Sequence, residues 1–102
     1  MAVYKLIVLG PAITEFEEGI VFYKSRLEGL EFEFEDEIFI LLELIKNNPF
    51  LFPVKFAHIR EAVVKRFPYV INYEVTEKNQ IIVSAIFQTQ QHPNKKIKRK
   101  RK

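Results

Sequence analysis

An α+β fold is predicted for this chain: a two-helix hairpin packed on one face of a mainly antiparallel sheet of four to five strands. Three observations predict it. A short β-branched run opens the chain, two stretches of helical periodicity follow, and a series of strand-like runs closes it. Helices grouped in this way, followed by a meander of strands, suggest that both pack on one face of a mainly antiparallel sheet. At 102 residues the chain fits one domain, expected over residues 1–94, with residues 95–102 as a basic, disordered tail. Hydrophobic residues make up 48% of the chain and ten are Phe, enough to build a single core without staples.

The elements follow in order. Val3 to Leu9 is β-branched and apolar, a strand that Gly10 and Pro11 end. Ile13, Phe16, Ile20, Tyr23 and Leu27 then recur at helical spacing and fall within one narrow arc, predicting a helix over about 12–27. Glu15, Glu17 and Glu18 near its start suit the positive end of the helix dipole, and Gly29 is a plausible terminator. Leu30 to Glu35 alternates like a strand. Leu30, Phe34, Ile38, Leu41 and Ile45 nevertheless form a longer helical stripe that stops at Asn47-Asn48-Pro49, so a second helix over about 30–46 is expected. Phe32, Phe39, Ile40 and Leu44 fall outside that stripe. The leading reading is a helix buried on more than one side; the other is a docking surface for a partner.

After a loop with Pro49 and Pro53, Val54 to Phe67 is β-rich, with a turn or bulge expected near Arg60 and Glu61. Tyr69, Ile71, Tyr73 and Val75 alternate with Val70, Asn72 and Glu74 as a half-buried strand does. Thr76 to Gln80 reads as a hairpin loop. Ile81 to Phe87 is apolar on both faces, as a central strand would be.

Charge is unevenly distributed. Seven of the 16 basic residues (Lys95, Lys96, Lys98, Arg99, Lys100, Arg101 and Lys102) lie in the last eight positions, and the other nine face 13 acidic residues. The body is therefore mildly acidic, and the net charge of +3 belongs to the tail. The tail holds no aromatic residue for stacking on bases, so any nucleic-acid binding there should be non-specific. The absence of Cys excludes disulfides and thiolate metal sites, and two His without Cys argue against a metal centre. Only Gly10, Gly19 and Gly29 are present, so no Gly-rich phosphate loop exists and no cofactor is expected. No apolar run approaches membrane-spanning length, and Leu6 to Leu9 is too short for a signal-peptide core. A cytoplasmic protein with no membrane association is the expectation.

The order of elements and four stretches resemble the RelE/ParE toxin family, particularly its ParE-like branch. The stretches are Phe22-Tyr23 with Gly29-Leu30; Ile45 to Pro49 with Phe52-Pro53; Ile59-Arg60 leading into Val64 to Tyr69, then Ile71 and Tyr73 to Val75; and Ala85-Ile86-Phe87 with Pro93. Together they span roughly residues 3 to 94. The resemblance implies a small bacterial toxin of a toxin–antitoxin or plasmid-stabilisation system, encoded beside a cognate antitoxin that folds against it. ParE-like members act on DNA gyrase by protein–protein contact, whereas RelE-like members cleave messenger RNA on the ribosome. Many relatives carry a His directly after the Phe of the last strand; this chain has Gln88.

With the resemblance in view, Arg60, Lys65 and Arg66 are the candidates for phosphate chemistry. If residues 60–67 form one regular strand, Arg60 and Arg66 share a face and could clamp a phosphate or an acidic antitoxin side chain, while Lys65 points away. Proton-transfer groups are poor. His58 is read as mid-strand with a structural or solvent-facing role, His92 lies in the polar tail, and Gln88 to Gln91 offer amides and one hydroxyl. Tyr69 and Tyr73 are read as core. No residue is therefore assigned to catalysis with any weight, and Phe32, Phe39, Arg60 and Arg66 are expected at a partner interface. Three readings compete: a ParE-like toxin acting by contact, a RelE-like ribonuclease, and an inactive relative that only binds an antitoxin.

Overall fold

A computed structural model describes residues 3–89 of the chain. The basic tail, with His92 and Pro93, lies outside the described residues. The elements are β1 (Lys5–Val8), α1 (Gly10–Arg26), α2 (Leu30–Asn47), β2 (Val54–Phe56), β3 (Ile59–Val63), β4 (Tyr69–Val75) and β5 (Gln80–Gln88). They form a five-stranded sheet in the order β1-β5-β4-β3-β2. Strand β1 runs parallel to β5, which returns after the helical hairpin, and the other pairings are antiparallel. This is the expected α+β architecture, and β5 lies between two neighbours as its two apolar faces imply.

The core is a sandwich of α2 on the sheet, closed at one end by aromatic rings. Phe34, Ile38, Leu41 and Ile45 point inward from α2 onto Ala62, Ile71, Tyr73, Ile81, Val83 and Ile86. All four helix positions belong to the stripe read from the sequence, so the helical period wins over the alternation of residues 30–35. Tyr23, Phe34, Phe67 and Tyr69 meet with ring centroids 4.8–6.2 Å apart, mostly edge-on or tilted. The hydroxyl of Tyr73 donates to the carbonyl of Pro49 at 2.8 Å and ties the loop after α2 to β4. Gly29 joins the helices with φ +94°, a backbone conformation open to glycine at little cost, and its N–H donates to Glu31 Oε1.

Helix α1 forms where expected and departs from its predicted stripe at the two ends. Its buried positions are Ala12, Gly19 and Tyr23, whereas Ile13 and Leu27 are 43% and 64% exposed. Ala12 and Gly19 meet the core beside Tyr23, with Phe16 and Ile20 packed against it. The reason is proximity: a Cβ on Gly19 would lie 2.7 Å from the ring of Phe34 and 3.0 Å from the hydroxyl of Tyr69. No larger side chain fits there, and Ile13 is carried to the flank. The glutamates expected at the helix start are also displaced. The helix begins at Gly10, so none falls in its first turn. Glu15 instead accepts a hydrogen bond from the N–H of Ile86 at 2.9 Å.

The region from 54 to 68 needs correction as well. The turn lies at Ala57-His58, not at Arg60-Glu61, and β3 ends at Val63. Residues 65–68 are bends, and Arg66 adopts φ +70°. The single strand through Arg66 therefore does not form.

Candidate functional site

The site builds outward from α2. Its inward stripe leaves two apolar flanks. Phe39, 51% exposed, and Leu42 lie towards α1 and β1, where Phe39 meets Phe16 with centroids 5.7 Å apart. A cleft of about 440 Å³ runs beneath Phe39 and is lined by Val8, Ile13, Phe16, Ile20 and Leu42. On the opposite flank Ile40 and Leu44, 63% and 39% exposed, border a smaller cleft with Phe52, Val63 and Lys65. Phe32, 63% exposed, projects from the first turns of the helix. The leading sequence reading, a helix buried on more than one side, is thus overturned for these residues. One side of α2 faces the sheet and α1 packs along part of another, which leaves Phe32, Phe39, Ile40 and Leu44 incompletely covered in a two-layer fold.

The two arginines are not brought together as a clamp. Arg60, half-buried on β3, donates to the carbonyl of Phe52 at 2.6 Å and stands over the ring of Phe50 at 5.1 Å. It fastens the 49–53 loop to the sheet. Arg66 belongs to the β3–β4 loop and pairs with two carboxylates on α2, Glu33 and Glu37. Those carboxylates hold its guanidinium charged beyond the ordinary arginine range. Lys65 is exposed beside the Ile40–Leu44 cleft. His58 sits in the β2–β3 turn, not mid-strand, and its Nε2 lies 2.6 Å from Glu74 Oε1.

A second concavity was not legible in the sequence. Beyond Val8 strand β1 ends, so the last residues of β5 lose that neighbour, and α1 lies alongside instead. Between them is a pocket of about 280 Å³ lined by Glu15, Glu18, Phe22, Tyr69, Phe87 and Gln88. Burial, reinforced by Tyr23, Glu18 and Glu15, pushes the Tyr69 phenol up to about 12. The spacing of Glu15, Glu18 and Phe22 marks one helix face, which was the only available signal.

Chemically, these surfaces can bury apolar side chains and attract cations. Among the described residues no group of three or more His, Asp or Glu is placed to hold a metal ion. No helix there is long and apolar enough to cross a membrane.

No family model matches the chain, and no curated protein sequence does either. Solved structures do. A chain from the chromosomal ParDE TA system of P. aeruginosa superimposes with TM-score 0.76 at 12% identity, covering 86% of this chain and 98% of that one. The isolated E. coli RelE toxin superimposes with TM-score 0.65 at 13% identity, covering 96% and 97%. The fold is therefore of the RelE/ParE type, a two-helix hairpin on a five-stranded, mostly antiparallel sheet.

Proposed function

We propose that the chain is the toxin of a type II toxin–antitoxin pair, cytoplasmic and ParE-like, that acts by protein–protein contact and is neutralised by a cognate antitoxin. The observation that supports contact over RNA cleavage is the disposition of the cations. Cleavage needs a proton acceptor for the ribose 2′-OH, a donor for the leaving oxygen and cations free to meet the phosphate. Arg60 is engaged with a backbone carbonyl and Arg66 with two carboxylates. Arginine stays protonated at ordinary pH and makes a poor base. At the end of β5 stand Gln88 and Thr89, neither of which exchanges protons near neutral pH. The exposed flanks of α2, with Phe32 and Phe39, suit an antitoxin helix or strand that brings its own apolar residues. DNA gyrase is the target class this reading favours.

The test is expression with and without the neighbouring open reading frame, scoring growth, DNA supercoiling and messenger RNA integrity together. Growth arrest with altered supercoiling and intact messages, relieved by the neighbour, is the expected result. Codon-positioned cuts on ribosomes that vanish in Lys65→Ala or Arg60→Ala would replace this reading with a ribosome-dependent endoribonuclease. Absence of any arrest, with the complex still formed, would leave an antitoxin-binding protein without toxicity.

A further inference from the structure

We propose that the pocket between α1 and the free end of β5 is a binding site for a single cationic side chain, a guanidinium or primary ammonium carried on a polypeptide. It is separate from the apolar flanks of α2. Two observations converge on it. The first is its lining. Glu15 and Glu18, one helical turn apart, present carboxylates on one side, and the Phe22 ring lies on another. Glu15 spends one oxygen, Oε1, on the Ile86 N–H, which fixes the carboxylate in place and leaves Oε2 for a ligand.

The second observation is Tyr69. It is 6% exposed, yet it lines this pocket, and none of the hydrogen bonds among the described residues uses its hydroxyl. The side chain is largely buried but its unpaired hydroxyl is reached from the pocket, whereas the other buried phenol on β4, Tyr73, has its acceptor in Pro49. The two glutamates act on Tyr69 in the same sense, holding the phenol neutral. A neutral hydroxyl can accept a hydrogen bond from a guanidinium or ammonium while the carboxylates balance its charge. An anion is disfavoured by the same carboxylates. The Phe22 ring already attracts one cation: the Arg26 guanidinium stands 4.8 Å from its centroid. The volume, about 280 Å³, accommodates one long side chain and little more.

The cation has two possible sources, a partner protein or the chain's own Lys and Arg residues at 95–102, and the experiment separates them. N-acetyl-arginine methylamide is titrated into the full-length protein, with the neutral citrulline analogue as control, and amide shifts are read by NMR. Saturable shifts at Ile86, Phe87 and Gln88 are expected, together with a lowered Tyr69 pKa in absorbance titration. The citrulline analogue and the Glu18→Gln variant should each bind at least about threefold more weakly, the size of one solvent-accessible charge contact. Glu18 is exposed, so the variant keeps the fold, which its unchanged spectrum checks. A second full-length variant carries Gln at Lys95, Lys96, Lys98, Arg99, Lys100, Arg101 and Lys102. Tighter probe binding to it identifies the chain's own arm as the natural occupant, and equal binding identifies another protein. Unsaturable shifts, equal shifts with citrulline, or no effect of Glu18→Gln would overturn the proposal.

Discussion

Replacing Arg60 with Met separates its role inside the fold from any role at an interface. The substitution keeps an apolar stem against the sheet and removes every donor. Two contacts are lost. The bond to the Phe52 carbonyl, at 2.6 Å and partly buried, is charge-assisted, and such bonds contribute about 1.5–3 kcal/mol. The stacking over Phe50 contributes about 0.5–1 kcal/mol at a half-exposed position. Freedom regained by the side chain offsets roughly 1 kcal/mol. A net destabilisation of about 1–3 kcal/mol is expected, or a fall of about 1–2 M in the urea midpoint for a domain of this size. Equilibrium urea unfolding measures it, and the dissociation constant of the antitoxin complex is measured on the same preparations at low denaturant. A midpoint that moves by less than about 0.5 kcal/mol equivalent, together with a tenfold weaker complex, would refute the structural reasoning and make Arg60 an interface anchor.

The remaining predictions concern packing, pH and the apolar flank. Gly19→Ala should destabilise by about 1–2 kcal/mol, because overpacking against Phe34 outweighs the gain in helix propensity; unchanged or raised thermal stability would show that α1 can lift away. Tyr69 has a folded pKa raised to about 12 against 10.0 in the unfolded chain, so its contribution is intact below pH 10 and falls away as pH rises towards 12. Tyr69→Phe should flatten that alkaline loss in urea titrations between pH 9 and 12 by about 1–2 kcal/mol, discounted for water in the adjoining pocket, and an identical slope would refute it. Phe39→Asp should leave the fold intact, since the ring is half exposed, while weakening the antitoxin complex at least about tenfold by isothermal titration. An unchanged affinity would move the docking site elsewhere.

What could be read from the sequence depended on whether side-chain period or backbone geometry decided the outcome. Helix α2 was legible because Phe34, Ile38, Leu41 and Ile45 carry both the period and the burial. Strand β5 was legible because residues apolar on both faces need neighbours on both sides. Helix α1 was legible at Phe16, Ile20 and Tyr23, which pack on the core, but not at Ile13 and Leu27, because the closest approach of the helix is set by the small size of Ala12 and Gly19. The turns were harder still. Ala57 and Arg66 both adopt positive φ, and neither is a Gly, Asn or Asp that would announce it. The turn at residues 57–58 therefore went unmarked, and with it the place of His58. The arginine clamp failed for the same reason, since β3 stops three residues before Arg66. The acidic pocket required knowing that β1 ends at Val8 and leaves the end of β5 open, a fact of strand length and not of composition.

The same fact bears on what kind of partner the surface can receive. Contacts within the chain engage part of the positive charge: Arg60 goes to a carbonyl, Arg66 to Glu33 and Glu37, and Lys55 lies 3.7 Å from Glu61. Acid is left facing outward beside exposed Phe, Ile and Leu side chains on the helical hairpin. A nucleic acid would meet carboxylates on this face and gain little, because affinity for phosphate depends on cations free to displace counterions. A polypeptide with spaced apolar residues and a few basic ones meets complementary chemistry at each step, apolar cleft first and charge afterwards. The charge and apolar pattern of the described body thus supports the proposed reading of protein recognition over nucleic-acid binding. Raising salt should slow association with such a partner by screening the outward carboxylates, and should change dissociation much less, because the apolar contacts that hold the complex are indifferent to ionic strength. Stopped-flow association measured between low and high salt tests this: a rate independent of salt would show that the acidic face takes no part in recognition.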